Sequence, residues 1–355
     1  MKKTITIKQN KLKVSIGYNS PTFIIAELSA NHNQSFDIAV DTIKAAKESG
    51  ADAIKFQTYT ADTITIDSNK KYFQINKGPW KGKSLYQLYK ESFNAWDWQP
   101  KLKKIANDIG LICFSSPFDN TAVDFLESIG MPAYKVASAE ITDLPLIKYI
   151  ASKGKPIFIS TGIATLEDIN AAVDTCREEK NNQIILLKCT SAYPAPIEEA
   201  NLRLIPDLAQ RFNLIVGLSD HTLGASVPIA AVALGANVVE KHFILDKSIN
   251  SPDTLFSLDP TEFKCMVDGV RESEKSLGEL DYKISDVVRD GRNFSRSLFV
   301  VKDIKKGEVF SMANIRSIRP GYGIFPKHIK EIIGKKALKD LDRGTPLKWE
   351  FVNLK

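Results

Sequence analysis

Two histidines stand at the ends of neighbouring apolar runs in a chain that has only four histidines. The run IVGLSDH ends with His221, and the run VVEKHFI carries His242. If these runs are adjacent strands, the two imidazole rings lie close enough to share one divalent metal ion. Such an ion would keep open positions for water and a substrate oxygen, and Mn²⁺, Co²⁺, Fe²⁺ and Zn²⁺ all suit imidazole ligands. The alternative is two core histidines, each with a separate hydrogen bond.

Two lysines occur inside apolar runs, where a charged side chain is costly to bury. Lys55 lies in DAIKF and Lys135 in PAYKVAS. With hydroxyl groups near the ends of other runs, these lysines would form a ring of donors for a compact polyanion such as a phosphate-bearing acid. The hydroxyl groups belong to Ser116, Ser138, Ser160 and Ser219. The alternative for each lysine is a solvated side chain that points outward.

Two glutamates near run ends are candidates for acid–base chemistry. Glu27 ends FIIAE, and Glu140 closely follows AYKVAS. Each could exchange a proton with a substrate or pair with one of the lysines. A lysine among apolar residues could instead be a Schiff-base nucleophile, which would make the chain a metal-independent class I aldolase that uses Lys135. Residue types alone do not separate these mechanisms, whereas borohydride trapping with substrate does.

The candidate residues lie near the ends of eight short apolar runs. The runs begin at residues 23, 53, 111, 133, 156, 184, 215 and 238, and helical patterns such as DIAVDTIKAAKESG separate them. Most starts are 22 to 31 residues apart, the length of one strand–helix unit. We therefore predict an α/β fold, a (β/α)8 TIM barrel with its active site at the C-terminal ends of the strands.

Two segments lie outside this repeat. Residues 4–16 read as a hairpin that turns at QNK, and we expect this hairpin to plug the bottom of the barrel. Residues 60–105 form an insertion rich in aromatic and basic residues, including Trp80 and Tyr86. The insertion is either a lid over the substrate or a packed surface loop.

Basic residues are concentrated in the C-terminal part of the chain. The net charge is +6 over 355 residues, and residues 291–355 hold 15 Lys and Arg against 6 Asp and Glu. The asymmetry predicts a separate C-terminal module. The module lacks a nucleic-acid-binding motif, so no nucleic-acid partner is expected. Without a signal sequence, a membrane-length apolar run or paired cysteines, we expect a cytoplasmic protein that does not contact membranes.

A non-enzymatic alternative is a binding protein with a degenerate barrel and a basic module that docks acidic partners. Degenerate barrels tend to lose the charged residues at their strand ends. None of the eight runs lacks a polar end, which favours an enzyme.

Ordered motifs along nearly the whole chain resemble those of the sialic-acid synthase family, whose members condense phosphoenolpyruvate with an amino sugar. The motifs are IIAELSANHN, GADAIKFQTY, FSSPF, AYKVASAE, ISTGIA, LKCTSAYP, GLSDHT and EKHF. The C-terminal segment SRSLFVVKDIKKGEVF resembles the small antifreeze-like domain (SAF, β-clip) of these enzymes. The expected domains are a hairpin at residues 1–22, the barrel at 23–275, a linker at 276–295 and the SAF domain at 296–355.

The resemblance implies catalytic and metal-binding roles. His221 and His242 would bind a divalent metal, Mn²⁺ first, with Mg²⁺ and Co²⁺ as alternatives. Glu27 would be the catalytic acid–base, and Glu140 would orient neighbouring groups. Asp253 corresponds to a further carboxylate of the site.

The resemblance also implies how substrates bind. Phosphoenolpyruvate would contact the two lysines and four serines named above, and Gln57 and Tyr193 would lie beside the sugar, with Ser191 at a position that varies in the family. Arg319 would reach the acylamino group of the sugar from a partner subunit, which implies a domain-swapped homodimer.

Within the family, GPWKGKSLYQLY and LDKSINSPDTLFSLDP resemble the subgroup that makes pseudaminic acid. Its sugar is 2,4-diacetamido-2,4,6-trideoxy-L-altrose, which lacks a 6-hydroxyl group and carries two acetamido groups. The N-acetylneuraminate type usually has Asn at the position of Ser191 and Gly-Pro-Asp at the position of Ser251, Pro252 and Asp253. N-acetylneuraminate synthase and legionaminate synthase are the alternatives.

Overall fold

The computed structural model describes residues 3–354, in two compact units that meet in the sequence between Gly278 and Glu279. Residues 1, 2 and 355, which belong to the predicted hairpin and C-terminal domain, lie outside the described residues. Among residues 3–354, no helix has both the length and the apolar character that a bilayer span requires.

The first unit is built around a closed barrel of eight parallel strands. Each strand begins within one residue of a predicted run, which confirms the predicted (β/α)8 fold. The barrel strands are β3 (Phe23–Glu27), β4 (Ala53–Thr58), β5 (Ile112–Pro117), β6 (Tyr134–Val136), β7 (Ile157–Ser160), β8 (Ile184–Cys189), β9 (Ile215–Asp220) and β10 (Val238–His242). The first and last strands, β3 and β10, pair with each other and close the barrel.

Helices follow the strands, and several begin at side chains that cap their free backbone N–H groups. Ser35, Thr165 and Asp259 each accept a hydrogen bond from the first turn of the helix that follows. The helices of the barrel layer are α1 (Phe36–Glu48), α4 (Gln99–Asp108), α5 (Asn120–Ser128), α6 (Leu144–Ala151), α7 (Leu166–Glu178), α8 (Leu204–Phe212), α9 (Ser226–Ala233) and α10 (Pro260–Leu277). Two short helices, α2 (Ala61–Ile64) and α3 (Leu85–Ser92), belong to the predicted insertion.

The barrel interior is apolar at the N-terminal ends of the strands. An antiparallel hairpin of β1 (Thr4–Gln9) and β2 (Leu12–Gly17) places Ile7 and Ile16 in the same buried cluster as aromatic residues of the strands. Within that cluster the ring of Phe158 lies 5.1 Å from Phe114 and 6.3 Å from Phe23 between centroids. Since these rings come from β3, β5 and β7, they form a layer contributed by alternate strands.

The second unit has its own small core. Strands β11 (Ser297–Val300) and β12 (Ile315–Ile318) pair antiparallel, as do β13 (Lys336–Ala337) and β14 (Val352–Asn353). Helices α11 (Asp286–Arg289) and α12 (Ile329–Ile332) complete its regular elements. Leu298, Phe310, Ile315 and Leu347 are fully buried in this unit.

The packing of the hairpin predicts a measurable contribution to stability. Ile7 is fully buried, so Ile7→Ala should lower the free energy of unfolding by about 2–5 kcal/mol through lost burial and a residual cavity. Urea unfolding followed by circular dichroism measures the change. Ile66→Ala is the matched control because Ile66 is 60% exposed. An Ile7→Ala variant as stable as this control would contradict the packing of the hairpin against the barrel core.

Candidate active site

A cavity of about 500 Å³ opens at the C-terminal ends of the barrel strands. The predicted site residues that line it are Gln57, Ser138, Glu140, Ser191, Tyr193, His242 and Asp253. A second cavity of about 720 Å³ lies near the end of the hairpin and the start of β9, beside Gly17 and Ile215. None of the predicted site residues lines the second cavity, so the chemistry belongs to the first.

Two lysines and two glutamates form a buried cluster beneath this cavity. Lys55 Nζ lies 2.5 Å from Glu27 Oε2 and 3.9 Å from Glu240 Oε1, and Lys135 Nζ lies 2.7 Å from Glu240 Oε1. All four residues are at most 5% exposed. The predicted alternative of solvated lysines is therefore wrong, because each ammonium group is buried against a carboxylate.

Hydroxyl groups from adjacent strands join the cluster. Lys55 Nζ donates to Ser116 Oγ at 3.2 Å, and Ser219 Oγ donates to Glu240 Oε1 at 3.0 Å. The hydroxyl oxygens of Ser160 and Ser191 are buried without a hydrogen-bond partner in the described part of the chain. Since buried polar atoms are rarely left unpaired, these two oxygens are free to contact a bound ligand.

Charge and burial act in opposite directions on the carboxyl groups. Burial would raise the pKa of Glu240, but Lys135 and Lys55 outweigh burial and hold that pKa at about 2. Burial raises the pKa of Glu27 to about 7, with repulsion from Glu240 adding to the rise and Lys55 opposing it. Glu240 is thus ionised near neutral pH, whereas Glu27 can gain or lose a proton there.

The two lysines differ in whether burial or attraction to the glutamates has the larger effect on the pKa. Burial favours the neutral amine in both, yet attraction to Glu240 and Glu27 outweighs burial at Lys55 and raises its pKa. At Lys135 burial dominates and lowers the pKa, although Glu240 opposes this. Lys55 is therefore the more firmly charged of the two.

Glu240 was not among the predicted site residues, although a signal for it was present in the sequence. Successive side chains of a strand point to opposite faces, so Glu240 and His242 share the inner face of β10. Lys241 points the other way and pairs with Asp220 Oδ2 at 2.5 Å. The alternation within VVEKH would have separated the two inward groups from the outward lysine.

The two predicted metal ligands lie together at the mouth of the barrel. The rings of His221 and His242 are 5.3 Å apart between centroids. His221 Nδ1 lies 2.9 Å from the carbonyl oxygen of Thr190. Burial would lower the pKa of His221, but its contacts with Cys189 and Thr190 outweigh burial and raise that pKa, so a metal ion would compete with a proton for this ring. His242 Nδ1 is buried without a hydrogen bond among the described residues, 3.6 Å from Asp253 Oδ2.

The histidine pair fits a metal ion bound by only two protein nitrogens. Burial, followed by repulsion from His221 and Lys55, holds the pKa of His242 well below its usual range, so this imidazole is neutral and can donate a lone pair to a cation. Among residues 3–354, no group of three or more His, Cys, Asp and Glu side chains has the arrangement of a metal site. Substrate or water oxygens would have to complete the coordination.

Other predicted residues are fixed around these groups. Gln57 Nε2 donates to Glu27 Oε1 at 3.1 Å and to Ser29 Oγ at 3.0 Å. Tyr193 packs its ring 4.4 Å from that of His221. Gly162 N donates to Ser138 Oγ at 3.1 Å, and a side chain at Gly162 would collide with Ser191 and Ser138.

Glu140 lines the cavity apart from the lysine cluster. Its Oε2 is buried without a hydrogen-bond partner in the described residues, and burial raises its pKa to about 7. The carboxylate that pairs with Lys135 is Glu240, and no ion pair within 4.0 Å joins Glu140 to either lysine. Arg319 belongs to the second unit, where it is exposed.

Comparisons with known proteins identify the family of this chain. Residues 42–282 match the NeuB family, and residues 295–353 match the SAF domain, as predicted for the C-terminal module. The chain is 49% identical to a pseudaminic acid synthase of Campylobacter jejuni, covering 92% of this chain and 95% of that protein. It is 40% identical to an N,N'-diacetyllegionaminic acid synthase of Legionella pneumophila, covering 95% and 96%.

One solved structure is similar to nearly the whole chain. The spore coat polysaccharide biosynthesis protein spsE of Bacillus subtilis superposes with a TM-score of 0.66 at 35% identity, covering 99% of this chain and 100% of that one. The family match spans more than half of the chain, across the barrel that holds both histidines and both lysines. The chain belongs to the NeuB family.

Proposed function

We propose that this protein condenses phosphoenolpyruvate with 2,4-diacetamido-2,4,6-trideoxy-L-altrose to form pseudaminic acid and phosphate. The observation that carries the proposal is the buried cluster of Lys55, Lys135, Glu27 and Glu240, which lies at the strand ends next to the cavity that His242 lines. The sugar follows from the relatives, since identity to a pseudaminic acid synthase is 49% and identity to a legionaminic acid synthase is 40%. Legionaminate or N-acetylneuraminate synthesis is the alternative.

The cluster can bind a phosphate-bearing acid by exchange of ionic partners. Phosphate and carboxylate oxygens would compete with Glu27 and Glu240 for the two ammonium groups, and the hydroxyls of Ser116, Ser138, Ser160 and Ser219 would donate to the remaining oxygens. Lys55 Nζ lies against Glu27 Oε2 in a buried ion pair. A substrate anion that takes over this lysine would leave Glu27 available as a base.

The proposed reaction forms a C–C bond and breaks a C–O bond. C3 of phosphoenolpyruvate attacks C1 of the open-chain sugar, whose oxygen takes the proton of Glu27, and positive character develops at C2. Water adds at C2 and returns one proton to Glu27. The tetrahedral carbon then expels phosphate with the bridging oxygen, and the C2 hydroxyl gives its proton to the departing phosphate as the C2 carbonyl forms. Lys55 and Lys135 stabilise the anionic charge through both steps, which is the dominant electrostatic contribution in such sites.

The histidine pair supplies a place for a divalent cation, with Mn²⁺ preferred and Mg²⁺ or Co²⁺ as alternatives. Such an ion would supply Lewis acidity toward the aldehyde oxygen of the sugar. His221 and His242 would hold it, and Asp253 Oδ2, 3.6 Å from His242 Nδ1, would help to fix the orientation of the His242 ring.

A Schiff-base aldolase is the second candidate, because burial lowers the pKa of Lys135 and a lysine with a lowered pKa is a better nucleophile. The ion pair between Lys135 and Glu240 opposes this role, since it holds the amine as an ammonium. Borohydride in the presence of substrate would trap the aldolase intermediate on Lys135 and leave the proposed synthase active.

The direct test is release of inorganic phosphate from phosphoenolpyruvate. With the diacetamido-altrose sugar and Mn²⁺, phosphate release should depend on both substrates and stop in EDTA. His221→Ala and His242→Ala should each lose at least about 10²-fold in rate, because the Lewis acid is lost. His328→Ala, which alters a histidine of the second unit, is the matched control. Full activity in EDTA would remove the metal from the mechanism.

Glu27 is expected to carry the proton transfer. Glu27→Gln keeps the shape of the side chain but removes its basicity, so kcat should fall by about 10²–10⁴-fold, the usual scale of general acid–base catalysis. Titration calorimetry should still detect phosphoenolpyruvate binding. Glu198→Gln changes an exposed glutamate and should leave both measurements unchanged. A Glu27→Gln variant with wild-type kcat would exclude this role.

We propose, further, a domain-swapped homodimer in which Arg319 contacts the sugar in the partner's site. The segment that follows α10 supports an interface, because Leu280, Tyr282 and Val287 are at least 95% exposed in the single chain. A run of exposed apolar side chains of this kind is typical of a protein–protein contact. Arg319 itself is exposed and so is available to an acylamino group.

Mixed subunits test this arrangement. Arg319→Ala and Glu27→Gln homodimers should both be inactive, but subunits unfolded and refolded together should recover about a quarter of wild-type activity, because each mixed dimer holds one intact site. Refolding each variant alone is the control. Recovery no greater than the sum of the two variants would place Arg319 in the site of its own chain or outside the site.

A further inference from the structure

Four aliphatic side chains of the insertion between β4 and α4 line the active-site cavity. They are Ile64, Ile75, Leu85 and Leu88, and together they are called here the insertion wall. The other lining residues include the polar set at the strand ends, such as Gln57, Ser138 and Glu140. The cavity is therefore polar where the strands end. The insertion adds these four aliphatic side chains together with Lys77, Trp80, Tyr89 and Ser92, so the insertion wall is an aliphatic patch within a mixed surface.

The insertion wall has a definite local structure. Leu85 and Leu88 are three residues apart on α3 and so lie on one face of the helix. The helix begins with a capping box, in which Ser84 and Gln87 satisfy each other's backbone N–H groups. Backbone hydrogen bonds of 3.0 Å join Ile75 to both Lys83 and Gly82, which fixes Ile75 beside the start of this helix.

The insertion is attached to the barrel mouth. Trp80 Nε1 donates to the carbonyl oxygen of Pro252 at 2.9 Å, and the Trp80 ring packs 5.6 Å from Tyr193 and 6.3 Å from Phe256 between centroids. At the other end of α3, Gln34 Nε2 donates to the carbonyl oxygens of Glu91 and Phe93 at 2.9 Å. These contacts support the lid interpretation of the insertion and hold the wall in place against a bound ligand.

An aliphatic wall discriminates between methyl and hydroxyl groups. A hydroxyl placed against Ile75 and Leu85 would lose its hydrogen bonds to water without replacement, which is unfavourable. A methyl group at the same place would bury apolar area and gain packing contacts. The reacting carbon of the sugar must lie at the lysine cluster and the histidines, so the opposite end of the carbon chain is the part that can extend to the insertion.

We infer that the insertion wall binds the C6 methyl group of the sugar and thereby selects a 6-deoxy sugar over its 6-hydroxy analogue. This inference rests on the proposed function, and it assigns the choice of sugar to residues that take no part in the chemistry. The wall and the catalytic cluster belong to different elements, so the two can be altered separately.

Substitution of one wall residue tests the selection. Ile75→Ser places a hydroxyl in the wall, so the ratio of kcat/KM for the 6-deoxy sugar to that for its 6-hydroxy analogue should fall about tenfold or more, the scale of discrimination by a hydrophobic pocket. Leu85→Ser should shift the ratio in the same direction. The KM for phosphoenolpyruvate should not change, since the lysine cluster is intact.

Ile66→Ser is the matched control. Ile66 belongs to the same insertion but is 60% exposed and does not line the cavity, so its ratio should equal that of the wild type. If the wild type turns over the 6-deoxy sugar but Ile75→Ser and Leu85→Ser leave the ratio unchanged, the wall inference is overturned and the proposed function stands. If the wild type releases phosphate with neither sugar, the proposed function fails, and the inference fails with it.

Discussion

The barrel mouth depends on mutual neutralisation between buried ammonium and carboxylate groups. Removing one partner of such a buried pair commonly costs about 3–5 kcal/mol, because the other charge is left unpaired. Glu240 is the centre of this arrangement, since its Oε1 lies near both Lys55 and Lys135. A site that must bind a phosphate-bearing acid needs concentrated positive charge, and two glutamates allow that charge to persist in a folded protein without ligand.

The alternation of side chains along the strands separates stability from chemistry. The N-terminal ends of the strands turn Phe23, Phe114 and Phe158 inward, where Ile7 and Ile16 of the hairpin cover them. The C-terminal ends turn lysines, glutamates and histidines inward instead. Because the aromatic layer anchors the strands, the polar ends are held in register without contributing a stable apolar core of their own.

The sequence predicts the barrel well because each strand is a short buried run with a clear beginning and end. It also predicts that Lys55, Lys135, His221 and His242 converge, since parallel strands in a barrel bring their C-terminal ends to one mouth. The pairing of each lysine with a particular glutamate is not predictable in this way. Ionic partners depend on distances across the barrel. The run ends predict Glu27 and Glu140 as possible partners of the lysines, whereas Lys135 pairs with Glu240.

Long-range contacts of the insertion could not be predicted from its composition. An aromatic and basic segment fits either a lid or a packed surface loop, and its composition does not predict the contact of Trp80 with Pro252 and Tyr193 that holds it at the barrel mouth. The partners lie far apart in the sequence, and no periodicity links them. The raised pKa of Glu27 is equally hard to predict from the sequence, because it results from burial and from the charge of Glu240 on a neighbouring strand.

The strand ends carry the reacting groups, whereas the insertion carries the side chains proposed to select the sugar. Condensation with phosphoenolpyruvate requires the same charges and the same reacting atoms for every sugar, so the cluster around Glu240 tolerates little change. The far end of the sugar differs between substrates, and it meets side chains carried by a segment outside the repeating strand–helix units. Substitution of an aliphatic residue in the insertion wall changes packing against the sugar and so changes selectivity. Substitution in the cluster around Glu240 would leave a buried charge unpaired and would affect folding as well. Selectivity can therefore change in the insertion while the chemistry stays fixed in the barrel.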